Sequence, residues 1–231
     1  MRAFISVVII IIISMMGGCQ PNYMEDSSAT NSVKHDNVSY EIQQISSVSG
    51  DNKIVTLYPQ LISTEKDYSI INSLISSEVI GWIRGNIAED ATVKLSYSTT
   101  YLDDICVCIL FEGDVTSPNS AHPTRVAFSV CVSLVEETIM NPLESIMIDD
   151  GFVEQFREQV ILSSDSDRFT NEQWNEVVAF FDSLSNEELQ QLIVNGETSL
   201  VEDGLLVCVS VPHAIGDYIK VSIKTGDGSV S

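Results

Sequence analysis

"ICVCILF" (105–111) and "RVAFSVCVSL" (125–134) decide how this 231-residue chain folds. A half-exposed strand alternates apolar with polar residues, and neither stretch does. Both are short, largely apolar at consecutive positions and rich in β-branched residues, the pattern of central strands covered on both faces. Cys106, Cys108 and Cys131 fall on one face, with Ile105, Val107, Ile109, Val130 and Val132 on the other. Upstream, "TVKLSYSTTY" (92–101) alternates Val93, Leu95 and Tyr97, and Asp103-Asp104 supplies a tight turn into 105–111. A longer loop, 112–124, leads into 125–134.

Further out, "VSYEIQQI" (38–45) and "KIVTLYP" (53–59) read as short strands. A helix capped at Thr64 follows, with Ile71, Leu74, Ile75, Val79, Trp82 and Ile83 on one face. In the second half Phe152, Phe156 and Val160 mark a helix face. Thr170 to Gln173 and Ser185 to Glu188 both fit the capping box, in which hydroxyl and N3 side chain each bond the other's backbone. The two helices they open carry Trp174, Val177, Val178 and Phe181, then Leu189, Leu192 and Ile193. Asn195-Gly196 ends the second. "TSLVEDGLLVCVSV" is a hairpin around Asp203-Gly204, and "YIKVSIK" (218–224) closes the fold. Strands and helices in runs predict an α+β fold of antiparallel sheets with packed helices, in two lobes spanning 38–135 and 136–224, with a tail at 225–231.

The N-terminus is of another kind. Residues 3–16 are almost wholly apolar but too few for a membrane span, which takes about 20 residues. Arg2, the apolar run and Gly17-Gly18 form a signal peptide over 1–18. With Cys19 directly after the small pair, the stretch resembles the lipobox of bacterial lipoproteins, which implies lipid attachment at Cys19. Residues 19–37 are polar and without apolar period, a tether. The expected place is the extracytoplasmic face of the cell membrane.

The formal charge is −22, and −23 once Arg2 is removed with the signal peptide. Such a chain repels nucleic acid, anionic lipid headgroups and anionic wall polymers, and attracts cationic partners. Its histidines, His35, His122 and His213, lack the spacing of a zinc helix, and no nucleophile elbow or phosphate loop is present. Asp165, Asp167 and Glu176 match three positions of a calcium loop, but Thr170 stands where glycine makes the turn, and a helix begins there. The segment reads as a solvated acidic linker. The expectation is no enzyme, no metal and no cofactor.

Three motifs carry a resemblance: "LYPQL" (57–61), "SAHP" (120–123) and "DGLLVCVSVPHAIGDYIKVSI" (203–223). In this order they resemble the domain pair of lysozyme-sensing anti-sigma factors (RsiV type) and the non-catalytic region of certain peptidoglycan deacetylases (PdaC type). The resemblance covers roughly residues 38–224. It implies an extracytoplasmic binding module that in one branch holds lysozyme. Asn119-Ser120 and His213 depart from the family's small pair and aromatic. With only Met1 and Arg2 before the apolar run, no segment to hold a sigma factor is expected. There is also no room for a deacetylase domain.

Candidate binding residues are His122 and Pro123, and Pro212 and His213, in two proline-marked loops. The His122 ring either locks its own loop by bonding a carbonyl or joins His213 in a recognition pair. The expected partner is a lysozyme-type muramidase or another cationic wall-active protein. An accessory role beside peptidoglycan machinery, or solute binding, is the alternative. Folding 105–111 on 125–134 brings Cys131 near Cys106 or Cys108. Because a bridge between neighbouring strands is strained, Cys106, Cys108, Cys131 and Cys208 are expected to be buried thiols.

Overall fold

The computed structural model describes residues 39–47, 54–63, 66–118 and 120–225. The expected signal peptide (1–18), Cys19, the expected tether (19–37) and the tail after Thr225 lie outside the described residues. Six strands form the first sheet in chain order: β1 (Ser39–Ser47), β2 (Ile54–Ile62), β3 (Thr92–Leu102), β4 (Cys106–Thr116), β5 (Thr124–Ser133) and β6 (Thr138–Met140). Helix α1 (Ser69–Asn86) crosses from β2 to β3, so that pair alone is parallel; the other neighbours are antiparallel. The second sheet holds β7 (Glu197–Val201), β8 (Gly204–Ser210) and β9 (Tyr218–Lys224), and is antiparallel throughout. Between the sheets in sequence lie α2 (Asp150–Leu162), α3 (Asn171–Ser183) and α4 (Asn186–Val194). The class is α+β, with two sheets.

The two-faced reading of β4 and β5 explains the layering. Val107, Ile109, Phe111, Phe128, Val130 and Val132 pack with Ile71, Ile75 and Val79 of α1. There Phe111 stacks on Phe128 at 4.8 Å between centroids, and Phe128 on Trp82 at 4.2 Å. The opposite face turns to the second half: Leu110 meets Leu206 and Cys208 of β8. Leu205, Val207 and Val209, on the other face of β8, join Phe156, Phe181 and Leu189 of the three helices. The order of layers is therefore α1, first sheet, second sheet, and the group α2 to α4.

Both capping boxes form, with Gln173 N bonded to Thr170 Oγ1 and Glu188 N to Ser185 Oγ, each at 3.2 Å. Three expectations change. Helix α1 starts at Ser69 after Tyr68, with no side-chain cap, rather than from Thr64. Asp67 bonds the Ser69 amide at 2.9 Å and directs the entry. The loop of 112–124 contracts to 117–123, because β4 and β5 stay paired to Val115 opposite Thr124. The four-thiol expectation is replaced by a Cys108–Cys131 disulfide, with Cys106 and Cys208 free and buried. The register sets Cys108 directly opposite Cys131, at a Cα separation of 4.1 Å, the close spacing of a pair that exchanges no ladder bonds.

Side chains cover parts of two strand edges, those of β5 and β9. β6 pairs only with Cys131 to Ser133, leaving the outer edge of β5 without a strand before that. Glu197 accepts from Ser129 N at 3.1 Å, and Asp217 from Arg125 N at 2.9 Å, along that edge. On β9, Asp165 accepts from Lys220 N, Ser163 Oγ donates to Lys220 O, and Gln155 donates to Lys224 O.

Candidate functional site

The two proline-marked loops meet. Pro123 is followed by Thr124, the first residue of β5, and Pro212 opens a short 3₁₀ turn, His213–Ile215, between β8 and β9. Asp217 joins them. One carboxylate oxygen takes the Arg125 amide at 2.9 Å and the other lies 2.7 Å from His213 Nδ1. The Asp217 side chain is 10% exposed and that of His213 58%. The acceptor is thus inside the joint and the ring at the surface. Asp217 has φ 70°, a left-handed conformation that aspartate tolerates better than most residues.

The turn carrying His213 is tightly tied. Ile215 N bonds Pro212 O at 2.8 Å, Gly216 N bonds His213 O at 3.2 Å, and Val211 N bonds Asp217 O at 2.8 Å. Gly216 has φ 115°, and a Cβ there would stand 2.4 Å from the Phe169 ring. Only glycine fits both requirements.

His122 and Pro123 are exposed, as are Pro212 and His213. The expectation that the His122 ring locks its loop is corrected: the Ser120 hydroxyl donates to the His122 carbonyl, and the ring has no bond among the described residues. That carbonyl is thus already satisfied by a neighbouring side chain. His122 stays exposed. All four candidate residues therefore sit on the same exposed end of the fold.

Beneath them is a polar network that sequence reading missed. Glu112 on β4 accepts from Tyr218 Oη at 2.7 Å and from Lys220 Nζ at 2.9 Å. Asp165, expected in a solvated linker, is 5% exposed instead. It takes both contacts from Arg168 Nη1, at 2.9 and 2.7 Å, and the Lys220 amide at 3.0 Å. The acidic segment folds inward because β9 presents an unpaired amide and Arg168 supplies the countercharge. The Arg168 guanidinium also lies 4.5 Å from the Tyr218 ring centroid. Burial first, then the Glu112 carboxylate, pushes the Tyr218 phenol far above its ordinary range. For Arg168, burial alone would lower the value, but Asp165 outweighs it and the guanidinium is held above normal. Tyr218 thus stays a phenol and Arg168 a guanidinium cation near neutral pH, and their bonds brace the loops. The sole hint in the sequence was the pairing of Asp165 with Arg168 at the spacing of one helical turn.

Away from this end, a shallow cleft of about 490 Å³ is lined by Leu61, Lys66, Tyr68 and Asn72. Another of about 220 Å³ lies against Glu78, Cys131, Asn141 and Glu197. Burial raises the Glu197 carboxyl above its ordinary value despite the Ser129 amide. Among the described residues no group of three His, Cys, Asp or Glu side chains is placed to hold a metal ion. No helix among them is long and apolar enough to cross a membrane.

No family model matches the chain, and neither does any curated protein. Solved structures similar to it include two DUF3298 family proteins. One is a DUF3298 family protein from Pseudomonas aeruginosa PAO1, 7% identical, covering 81% of this chain and 88% of its own, with a TM-score of 0.42. The other is a member of the DUF3298 family from Bacteroides fragilis NCTC 9343, 10% identical, covering 81% of this chain and 90% of its own, with a TM-score of 0.47.

Proposed function

We propose that this chain is a binding module without catalytic activity, fixed by a lipid on Cys19 to the outer side of the cell membrane. There it captures a lysozyme-type muramidase or another cationic wall-active protein. The observation that supports this reading best is the Asp217 joint, which makes one exposed surface of the His122-Pro123 and Pro212-His213 loops. Rigid, exposed loops on a braced scaffold are the usual carriers of recognition. The Cys108–Cys131 bridge agrees with an oxidising compartment. The formal charge of −22 speeds encounter with a basic protein and gives no specificity of its own.

The loop end also faces away from the end where β1 starts at Ser39, because β5 runs from the loops toward the β1 start. Calorimetry with a lysozyme-type muramidase, at low and near-physiological salt, tests the reading. Binding should survive the higher salt and weaken more when Pro212 and His213 are both changed to alanine than when two distant carboxylates are removed. Complete loss at the higher salt, or indifference to the loop variant, reduces the interaction to charge attraction. The accessory role beside peptidoglycan machinery would then stand ahead.

A further inference from the structure

The opposite end of the first sheet is different in character. There β2 ends, β3 turns into β4 at 103–105, β5 turns into β6 at 134–137, and α1 begins. These segments are bonded into one surface: Leu134 N donates to Ile105 O at 2.6 Å, and Lys66 Nζ donates to Leu134 O at 2.9 Å. From it project Ile70 at 52% exposure, Ile105 at 58% and Val135 at 68%, with Ile62 beside them. Asp103 holds the 105 turn open by accepting from Ile105 N and Cys106 N, both at 2.8 Å, and thereby presents Ile105 to solvent.

Among the described residues, the charged side chains near these apolar ones are acidic apart from Lys66. Asp67, Asp104, Glu136 and Glu137 rim the surface. Its nearby cation, Lys66, is turned to the Leu134 carbonyl and the Tyr68 ring, 5.2 Å from the centroid. An apolar centre with an acidic rim repels an anionic bilayer and fits a segment that is apolar in the middle and cationic at its margins. From this complementarity we infer that the α1-entry end of the first sheet is a docking surface for a cationic amphipathic segment of a partner protein. It is separate from the loop surface at the far end and does not depend on it.

The test uses the intact chain and a fluorescently labelled peptide of leucine and lysine at helical spacing, about 14 residues or four turns long. Anisotropy should show saturable binding. Affinity should fall about tenfold in Ile105→Ser combined with Val135→Ser, and by a similar factor in the separate variant Ile70→Ser, with melting temperatures unchanged. Asp104→Asn with Glu136→Gln should lower it less and remove most of its salt dependence. Asp217→Asn, at the other end, should leave it unaltered. Affinity as high as the parent's in both apolar variants overturns the inference, as does equally tight binding of a peptide whose leucines are scattered around the helix. Variant-sensitive binding to phosphatidylglycerol vesicles without peptide binding would assign the face to lipid and also overturn it. A dimer by sedimentation that the Ile105→Ser/Val135→Ser variant abolishes would assign it to a second copy, with the same consequence.

Discussion

The Asp217 carboxylate receives the amide of Arg125 from 92 positions away and so binds the start of β5 to the turn before β9. The same group holds His213. Asp217→Ala removes both acceptors and places alanine at φ 70°, and should cost about 2 kcal/mol. Asp217→Asn keeps one oxygen and a residue at ease in that conformation, and should cost less than about 1 kcal/mol. Urea unfolding midpoints at constant slope measure the difference.

The Cys108–Cys131 bridge closes a short loop, its ends 23 residues apart. Replacing both cysteines by alanine should lower stability by about 3 kcal/mol, seen as a shift of the urea midpoint that reductant reproduces in the parent. In the native protein the remaining thiols should alkylate slowly. Burial, with Asp103 beside it, pushes Cys106 to about 11, and burial pushes Cys208 to about 12.

Carboxylates at two places should give opposite pH responses. Glu197 has a folded pKa raised by burial, so its contribution is greatest below the unfolded carboxyl value and is lost as pH rises through the folded one. Glu188 is the reverse: bonding to the Ser185 amide lowers its pKa, and its contribution is lost as pH falls through that lowered value. Glu197→Gln should therefore flatten the melting curve on the mildly acidic side, while Glu188→Gln should flatten it further down. Scanning calorimetry of the two variants across pH reads both. Identical profiles for parent and Glu197→Gln would exclude the first effect.

Gly113 allows β3 and β4 to approach. A Cβ there would lie 1.9 Å from the Lys94 carbonyl oxygen. Gly113→Ala must push the backbones apart beside Glu112, and should cost at least about 2 kcal/mol, with a lower melting temperature. Loop capture of a partner should weaken in parallel, because Glu112 braces Tyr218 from the neighbouring position.

Cys19→Ala tests the anchor. The variant should leave the membrane fraction, since a polar tether has no other apolar hold. Retention with the parent's mass and processing would remove lipid attachment from the proposal.

What the sequence revealed follows from the range of the forces involved. The two faces of β4, the capping boxes at Thr170 and Ser185 and the Asp203-Gly204 hairpin are local patterns, set within a turn or a strand, and all were legible. Proline and histidine identified the two loops for the same reason. Their union was not legible, because it rests on Asp217 and Arg125, whose spacing carries no periodic signal. Asp165 misled in the same way: an aspartate among serines looks solvated until a distant strand offers it an amide. The bridge between Cys108 and Cys131 needed the register of two strands, and that register is set by the shared packing of Phe111 and Phe128.

The covering of β9 by Asp165, Ser163 and Gln155 would matter if copies are held side by side by the proposed anchor. Lateral crowding raises the local concentration of every exposed ladder, and one open strand would be enough to seed filaments. Here the outward groups of Lys220 and the carbonyl of Lys224 are already occupied from within the same chain. If the chain is anchored as proposed, neighbours packed at high density meet a second-sheet edge whose Lys220 groups are already taken, which disfavours pairing of copies strand to strand there.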